Sequence, residues 1–396
     1  MKIFENNPAL RWAVPAVTAV ALVGGGAAFG ELGAIAGSGL PARTAAQLLV
    51  DVQQARLDGL SGTVVQKSDF GLPELPLAGG SGGTGSSSLT SLLSGTHTMR
   101  IWFAGPDKAR MALLGTLGES DVIRNGQDVW VWASQEKSAK HYVMPAVAAG
   151  KSTSIPGGSG MPTPSDLPAT PQAAAERALA AITPSTQVTT SGTAIIAGRS
   201  AYELVLRPKD AKSLVGQVRV AIDGVKHVPL RVQVFAKSVS DPVFEVAFSA
   251  VDFARPDAAQ FTFKPPPGTT VTDSKVPAPG HAAGDSTAKT LSPQPSSAAM
   301  PTVVGSGWTS VLVAKVPAHG VTANGSTGAS GTTGATADKT VAALMKFAAL
   351  LPKVSGAWGS GHLMAGTAFS VLLTDDGRMA IGAVTPEALY AALAGS

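Results

Sequence analysis

Strict alternation of apolar and polar positions dominates two stretches of the chain and predicts strands. Within Ser120–Met144, Val129 and Val131 alternate with Trp130 and Trp132, and Ala139, His141 and Val143 alternate with Lys140, Tyr142 and Met144. Asn125-Gly126 predicts a hairpin, because both residues tolerate the positive φ of a type I′ turn. Ser134–Ser138 reads as a polar turn. Upstream, Leu60–Lys67 is a strand, His97, Met99, Ile101 and Phe103 alternate with Thr98, Arg100 and Trp102, and Gly105-Pro106-Asp107 turns the chain into Lys108–Leu114. A second series comprises Gln187–Ala197, Ala201–Arg207, Val215–Asp223, Val228–Ala236 and Val243–Phe253. One apolar and one polar face on successive strands argues for an antiparallel sheet rather than a doubly wound parallel one.

Helical spacing appears at fewer places. Thr44 with Gln47 forms a capping box ahead of Ala45, Leu48, Leu49, Val52 and Ala55, predicting a helix to about Asp58. Ser88–Ser94 carries Leu89, Leu92 and Leu93 as a short helix. Thr170-Pro171 starts a helix running to Ile182. Val303–Val316 reads as one strand, Asp338–Leu351 as an amphipathic helix, Ala368–Thr374 and Arg378–Val384 as a hairpin across Asp375-Asp376-Gly377, and Thr385-Pro386 as the cap of a last helix. Phe70–Ser88, Ala146–Ala169 and His319–Ala337 are loops rich in Gly, Pro, Ser or Thr. These boundaries divide the 396 residues into a leader at 1–39, a main domain at 40–268, a Pro/Ala/Ser-rich linker at 269–300 and a C-terminal αβ segment at 301–396.

Composition narrows the setting. Lys2 and Arg11 flank an apolar run from Trp12 to Phe29, which places the N-terminus in the cytoplasm and sends the rest outward. A run near the lower limit of a membrane span, followed by Ala34-Ile35-Ala36, fits both a retained transmembrane anchor and a cleaved signal peptide. The expected location is extracytoplasmic, anchored to the cytoplasmic membrane or secreted. The chain has no cysteine, which excludes disulfides, a lipidated cysteine and thiolate metal sites. A net charge of +4, without a basic stretch interleaved with aromatics, argues against nucleic acid.

Patterns that carry catalysis do not hold up. Gly79-Gly80-Ser81-Gly82-Gly83 satisfies the letter of the hydrolase elbow, yet Gly/Ser tract replaces the strand and helix that would expose Ser81. Gly150-Lys151-Ser152 ends like a phosphate loop, but Pro145 stands where its first glycine belongs. His97, His141, His227, His281, His319 and His362 lack i,i+3 or i,i+4 spacing, and no metal set emerges. Glu203 and Glu245 read as solvent-face strand residues. The expectation is a non-enzymatic protein with no cofactor and no metal.

The Ser120–Met144 run has the order Asn-Gly, two residues, apolar-Trp-x-aromatic, polar turn, Lys-His-Tyr. Together with the ending Phe261-Thr262-Phe263-Lys264-Pro265-Pro266-Pro267-Gly268, it resembles the LolA-like lipoprotein-carrier superfamily, including LppX-type and RseB-type proteins, most nearly the actinobacterial members. The resemblance spans roughly Ala42–Gly268. It implies an α+β fold: a curved antiparallel half-open β-barrel with helical lids, plus the smaller C-terminal αβ segment. It further implies an apolar cavity for a lipid or a lipoprotein acyl chain, and transport of that ligand. The candidate lining is Leu72, Leu75, Leu77, Leu89, Leu92 and Leu93 on the lid side, and Met99, Ile101, Phe103, Met111, Leu113, Trp130, Trp132 and Tyr142 on the sheet. An RseB-type alternative adds a membrane-bound anti-sigma partner. A Ser81 hydrolase is the remaining rival.

Overall fold

In a computed structural model, residues 40–71, 87, 91–92, 94–144, 184–275, 302–315 and 350–395 are described. The leader, the helix expected at 170–182, residues 338–349 of the helix expected at Asp338–Leu351, and Ser81, Leu72, Leu75, Leu77, Leu89 and Leu93 lie outside them, and Leu350 and Leu351 are turn and bend rather than helix. No described helix is long and apolar enough to cross a membrane.

The capping box forms as read. Thr44 Oγ1 accepts from the Gln47 amide at 3.2 Å, and Gln47 Oε1 accepts from the Thr44 amide at 2.9 Å. Helix α1 (Ala45–Gln54) ends earlier than expected, because the chain turns extended at Ala55. The extended residues bring Gly59 against Arg255, where any Cβ would collide with the Arg255 backbone. They then feed β1 (Leu60–Ser68).

The strands β2 (Gly95–Phe103), β3 (Lys108–Leu114), β4 (Glu119–Asn125), β5 (Asp128–Ala133) and β6 (Ser138–Val143) follow as a meander. β7 (Thr186–Ile196), β8 (Arg199–Pro208), β9 (Val215–Asp223), β10 (Pro229–Ala236) and β11 (Pro242–Asp252) form a second one. β1 joins the two, pairing with β2 on one side and β11 on the other. The hairpin after β4 exists, but its turn is shifted by one residue. Asn125 pairs with Asp128, leaving Gly126 and Gln127 as the central residues, and of these only Gly126 has positive φ (66°). That is the requirement of a type II′ turn, not type I′.

After β11 the chain crosses the outer face of β3 and β4 through a 3-10 turn at Ala258–Phe261. It then adds β12 (Thr270–Lys275) parallel to β6. This strand lies inside the stretch read as linker, and its hydrogen-bonded ladder overrides the Pro/Ser composition around it. The sheet is thus twelve-stranded in the order β12-β6-β5-β4-β3-β2-β1-β11-β10-β9-β8-β7, and its two edges do not pair. Apart from β12 it is a curved antiparallel sheet left open, as the resemblance implied.

A second unit has its own sheet and core. β13 (Thr302–Val304) and β14 (Val311–Lys315) replace the single strand expected there. Gly305, at φ 83°, and a 3-10 turn at Gly307–Thr309 break it so that Trp308 can turn inward. β15 (Lys353–Gly356) and β16 (Gly359–Ala365) form a hairpin that the Gly/Ser-rich sequence hid, and β17 (Ser370–Thr374), β18 (Arg378–Gly382) and helix α2 (Pro386–Ala394) complete the unit. Val311, Leu372, Ala380, Val384, Leu389 and Leu393 pack its core.

The two units share a seam. Leu214 donates its amide to Ala383 O at 2.9 Å, Thr385 to Lys212 O at 2.9 Å, and Thr367 to Phe70 O at 2.9 Å. Phe70 stacks on Phe244 at 6.2 Å and meets Phe369 edge-on at 5.4 Å. Trp308 and Ala368 enter the core formed by Val64, Met99, Leu113, Val218, Val232 and Val234. The second unit therefore closes one end of the large sheet's inner face, while α1 covers its β7–β9 side through Leu48, Val188, Tyr202 and Leu204.

Candidate ligand-binding cavity

Strand register assigns every side chain to a face. Val64 pairs with Met99 and with Phe248; Ile101 pairs with Met111, and Phe103 with Leu60 and Ala109. Val232 lies opposite Val246. These residues share the inner face because side chains alternate strictly along each strand. Between the seam and α1 they leave a mainly apolar cavity of about 150 Å³, lined by Leu60, Val64, Met99, Ile101, Phe103, Met111, Leu230, Val232, Val246 and Phe248, with Leu57 at the end of the α1 connection, while Trp102, Arg110 and Arg231 also border it. A dry cavity of roughly that volume holds a ring the size of benzene, and pockets for whole small molecules run to ~300–1,000 Å³. The space as it stands therefore fits a short stretch of hydrocarbon.

The expected lining residues separate. Met99, Ile101, Phe103 and Met111 line the cavity. Leu113 lies on the same face one row further, fully buried in the core beneath Trp308. Tyr142 is on that face by register, half-buried near the sheet edge and away from the cavity. Trp130 and Trp132 point to the opposite face, in register with Ile123 and Asp121. There the chain's own Phe263 covers them at 5.2 and 5.9 Å, and Trp130 stacks on His141 at 4.2 Å. Trp102 is on that outer face too, between the guanidiniums of Arg100 and Arg110.

Most of the cavity wall lies outside the expected set. Val232, Val246 and Phe248 were visible as alternating strand residues. Their meeting with Met99 and Ile101 depends on β1 pairing with β11, which is a matter of strand order rather than of local pattern.

One row beyond the cavity lining, the inner face of β1 turns polar. Gln66 and Ser68 continue the inner face of β1, and both are buried. Gln66 Nε2 donates to Leu92 O at 3.0 Å and also to Ser68 Oγ, while Ser68 Oγ donates to Leu92 O at 3.2 Å. Leu92, expected on a lid, is therefore fastened to the sheet by its carbonyl and packs against the core. His97 Nε2 lies 2.7 Å from Ser94 O. Gln66 Oε1 has no partner among the described residues. An unsatisfied buried acceptor costs about 1–3 kcal/mol.

The paired charges Asp121–Arg110, Asp223–Arg199 and His141 with its two carboxylates are on the outer face by register. Burial pushes the Asp121 carboxyl above its ordinary range, and Arg110 at 2.6 Å offsets this only in part. Burial acts the same way on Asp223, but hydrogen bonds from Arg199 and from the Val225 and Lys226 amides outweigh it and hold that carboxyl low. His141 bridges Asp128 at 2.9 Å and Asp273 at 3.0 Å. Burial disfavours its cation, yet the two hydrogen bonds prevail and raise its pKa. Among the described residues no group of three or more His, Cys, Asp and Glu could hold a metal ion.

No family model and no curated protein sequence matches the chain. Among solved structures it is similar to the MucA/MucB complex of Pseudomonas aeruginosa, at 13% identity over 88% of this chain and 94% of that one, with a TM-score of 0.38. It is similar to an uncharacterized conserved protein from Thermus thermophilus, at 11% identity over 57% and 97%, with a TM-score of 0.32. A LolA superfamily protein from Nitrosomonas europaea aligns at 12% identity over 56% and 99%, with a TM-score of 0.19. These scores are low, and the fold is described from the chain itself: an unclosed twelve-stranded sheet, antiparallel but for the edge strand β12, with a helix and a second unit packed on its inner face.

Proposed function

We propose that this protein binds a lipid or the acyl chain of a lipoprotein outside the cytoplasm, without catalysis, as a member of the LolA/RseB-like superfamily. The observation that carries the reading is the apolar cavity on the inner face. Hydrocarbon has no polar group to satisfy, so a wall made mostly of Val, Ile, Met, Leu and Phe suits it. Each methylene buried there gains ~0.8 kcal/mol, so a chain of several methylenes can offset the contacts that must part to lengthen the cavity. Export rests on Lys2 and Arg11 ahead of the apolar run Trp12–Phe29.

A regulatory role, with a membrane protein as partner, draws support from one feature: the second unit has a core of its own and leaves most of its surface outside the cavity. Native mass spectrometry of protein purified without detergent tests the primary reading. Acyl adducts that leave on collisional activation are expected. A clean apo mass, unchanged after incubation with fatty-acyl vesicles, contradicts it.

A further inference from the structure

Strand β12 pairs with β6 alone, at the edge of the large sheet, and that pair is the one parallel pair among the described strands. The side chains of Thr270, Val271, Thr272 and Asp273 are all exposed, so burial adds little to its attachment. The chain reaches it through Pro265-Pro266-Pro267-Gly268. Gly268 has φ 79°, and no atom lies within 4 Å of where a Cβ would stand, so the strand can swivel there without parting any packed neighbour. Beyond the backbone ladder, one side-chain hydrogen bond ties β12 to the sheet among the described residues. His141 Nδ1 donates to Asp273 Oδ1 at 3.0 Å, while Nε2 donates to Asp128 Oδ1 at 2.9 Å.

Carboxylates only accept, so both bonds exist only in the imidazolium. Burial disfavours that cation, but the two hydrogen bonds prevail and raise its pKa. A neutral ring donates from one nitrogen and turns a lone pair toward the other carboxylate. The ring then stands between two anions: β5 presents Asp128 and Trp130, β12 presents Asp273, and the crossing segment presents Phe263, over Trp130, and pairs no charge with the ring. Asp128 belongs to a strand paired on both sides, by β4 and β6. Asp273 belongs to a strand that can leave. We propose that β12 is a pH-operated latch: it stays on the sheet while His141 is protonated and peels away when that proton is lost. Release bares the backbone N–H and C=O groups of β6, a row to which another extended segment can pair.

Hydrogen exchange read by mass spectrometry on the full chain tests this at about pH 5.5 and about pH 9, on either side of the histidine range, after correction for intrinsic rates. Amides of Thr270–Lys275 should be about threefold to tenfold less protected at the higher pH, tenfold corresponding to one unit between the His141 pKa values of the attached and released states. Peptides from β8 and β9 should keep their protection. His141→Gln and Asp273→Asn should each make protection of Thr270–Lys275 independent of pH, and Asp273→Asn should lower the His141 pKa read by NMR. Unchanged protection of β12 in the wild type overturns the proposal and is the result expected if Asp128 swings aside instead. An equal loss across all strands overturns it too, because that is general destabilisation rather than release. A pH dependence that survives in either variant, or a His141 pKa unaltered by Asp273→Asn, also overturns it.

Discussion

Trp308 donates its indole N–H to the hydroxyl of Thr186, and the two side chains are 2% and 1% exposed. This bond joins the second unit to the start of β7, at the closed end of the large sheet's inner face. It makes the seam part of the main core rather than a surface contact between independent domains. Trp308→Ala should destabilise the protein by about 3–5 kcal/mol, as removal of a buried aromatic side chain generally does. Trp308→Phe keeps most of the packing and loses the N–H, so about 1 kcal/mol is expected. Urea denaturation followed by circular dichroism reads both. A Trp308→Ala variant as stable as the wild type would mean that the units are not joined there.

Gly126 tests the corrected turn. Its φ of 66° is the only positive one in the two-residue loop, and no atom lies within 4 Å of where a Cβ would stand. Any penalty for substitution is therefore backbone strain alone. Gly126→Val should cost ~1 kcal/mol or more, and Gly126→Asn clearly less. Asn125→Val should be mild, since Asn125 is the last residue of β4 and not a turn position. An effect of Asn125→Val equal to that of Gly126→Val would restore the type I′ assignment.

His141 gives the sheet edge a pH dependence. Carboxylates only accept, so hydrogen bonds from both ring nitrogens to Asp128 and Asp273 require the imidazolium. The folded-state pKa is raised above the ordinary 6.5. The contribution to stability is therefore complete below pH 6.5 and is lost as pH rises through the raised value. Urea midpoints measured across that window should fall for the wild type and stay flat for His141→Gln. A wild-type midpoint that rises there contradicts the assignment.

Local pattern revealed elements more readily than it revealed their assembly. The capping box of Thr44 and Gln47, the alternation through Met99 and Ile101, and the exact span Val215–Asp223 were all legible, because each depends on residues a few positions apart. The side of the sheet reached by Trp130 was not. Alternation states that Trp130 and Trp132 share a face, but only the ladder from β2 to β5 shows that this face is opposite to that of Met99. Strand β12 was hidden for a related reason: Thr270–Lys275 is weakly apolar, and its place is set by a partner far away in sequence. Gln66 carried no signal as a lone polar residue in a strand.

Leu92 locates what can move. Its carbonyl is held by Gln66 and Ser68, so a fluorophore at Leu92→Cys should report little displacement from the sheet when an acyl ligand binds. The chain has no cysteine, which makes that label unique. Large changes in energy transfer from tryptophan would show that these hydrogen bonds break on binding.

The central claim is the place where hydrocarbon binds. A fatty acid bearing a photoreactive diazirine on its chain, cross-linked in the full-length protein and mapped by peptide mass spectrometry, tests it most directly. Adducts should fall on the peptides holding Met99, Ile101, Met111 and Phe248, and Ile101→Trp, which fills the cavity, should suppress them. Labelling concentrated at Trp130 and Trp132, or labelling unaffected by Ile101→Trp, would contradict the account.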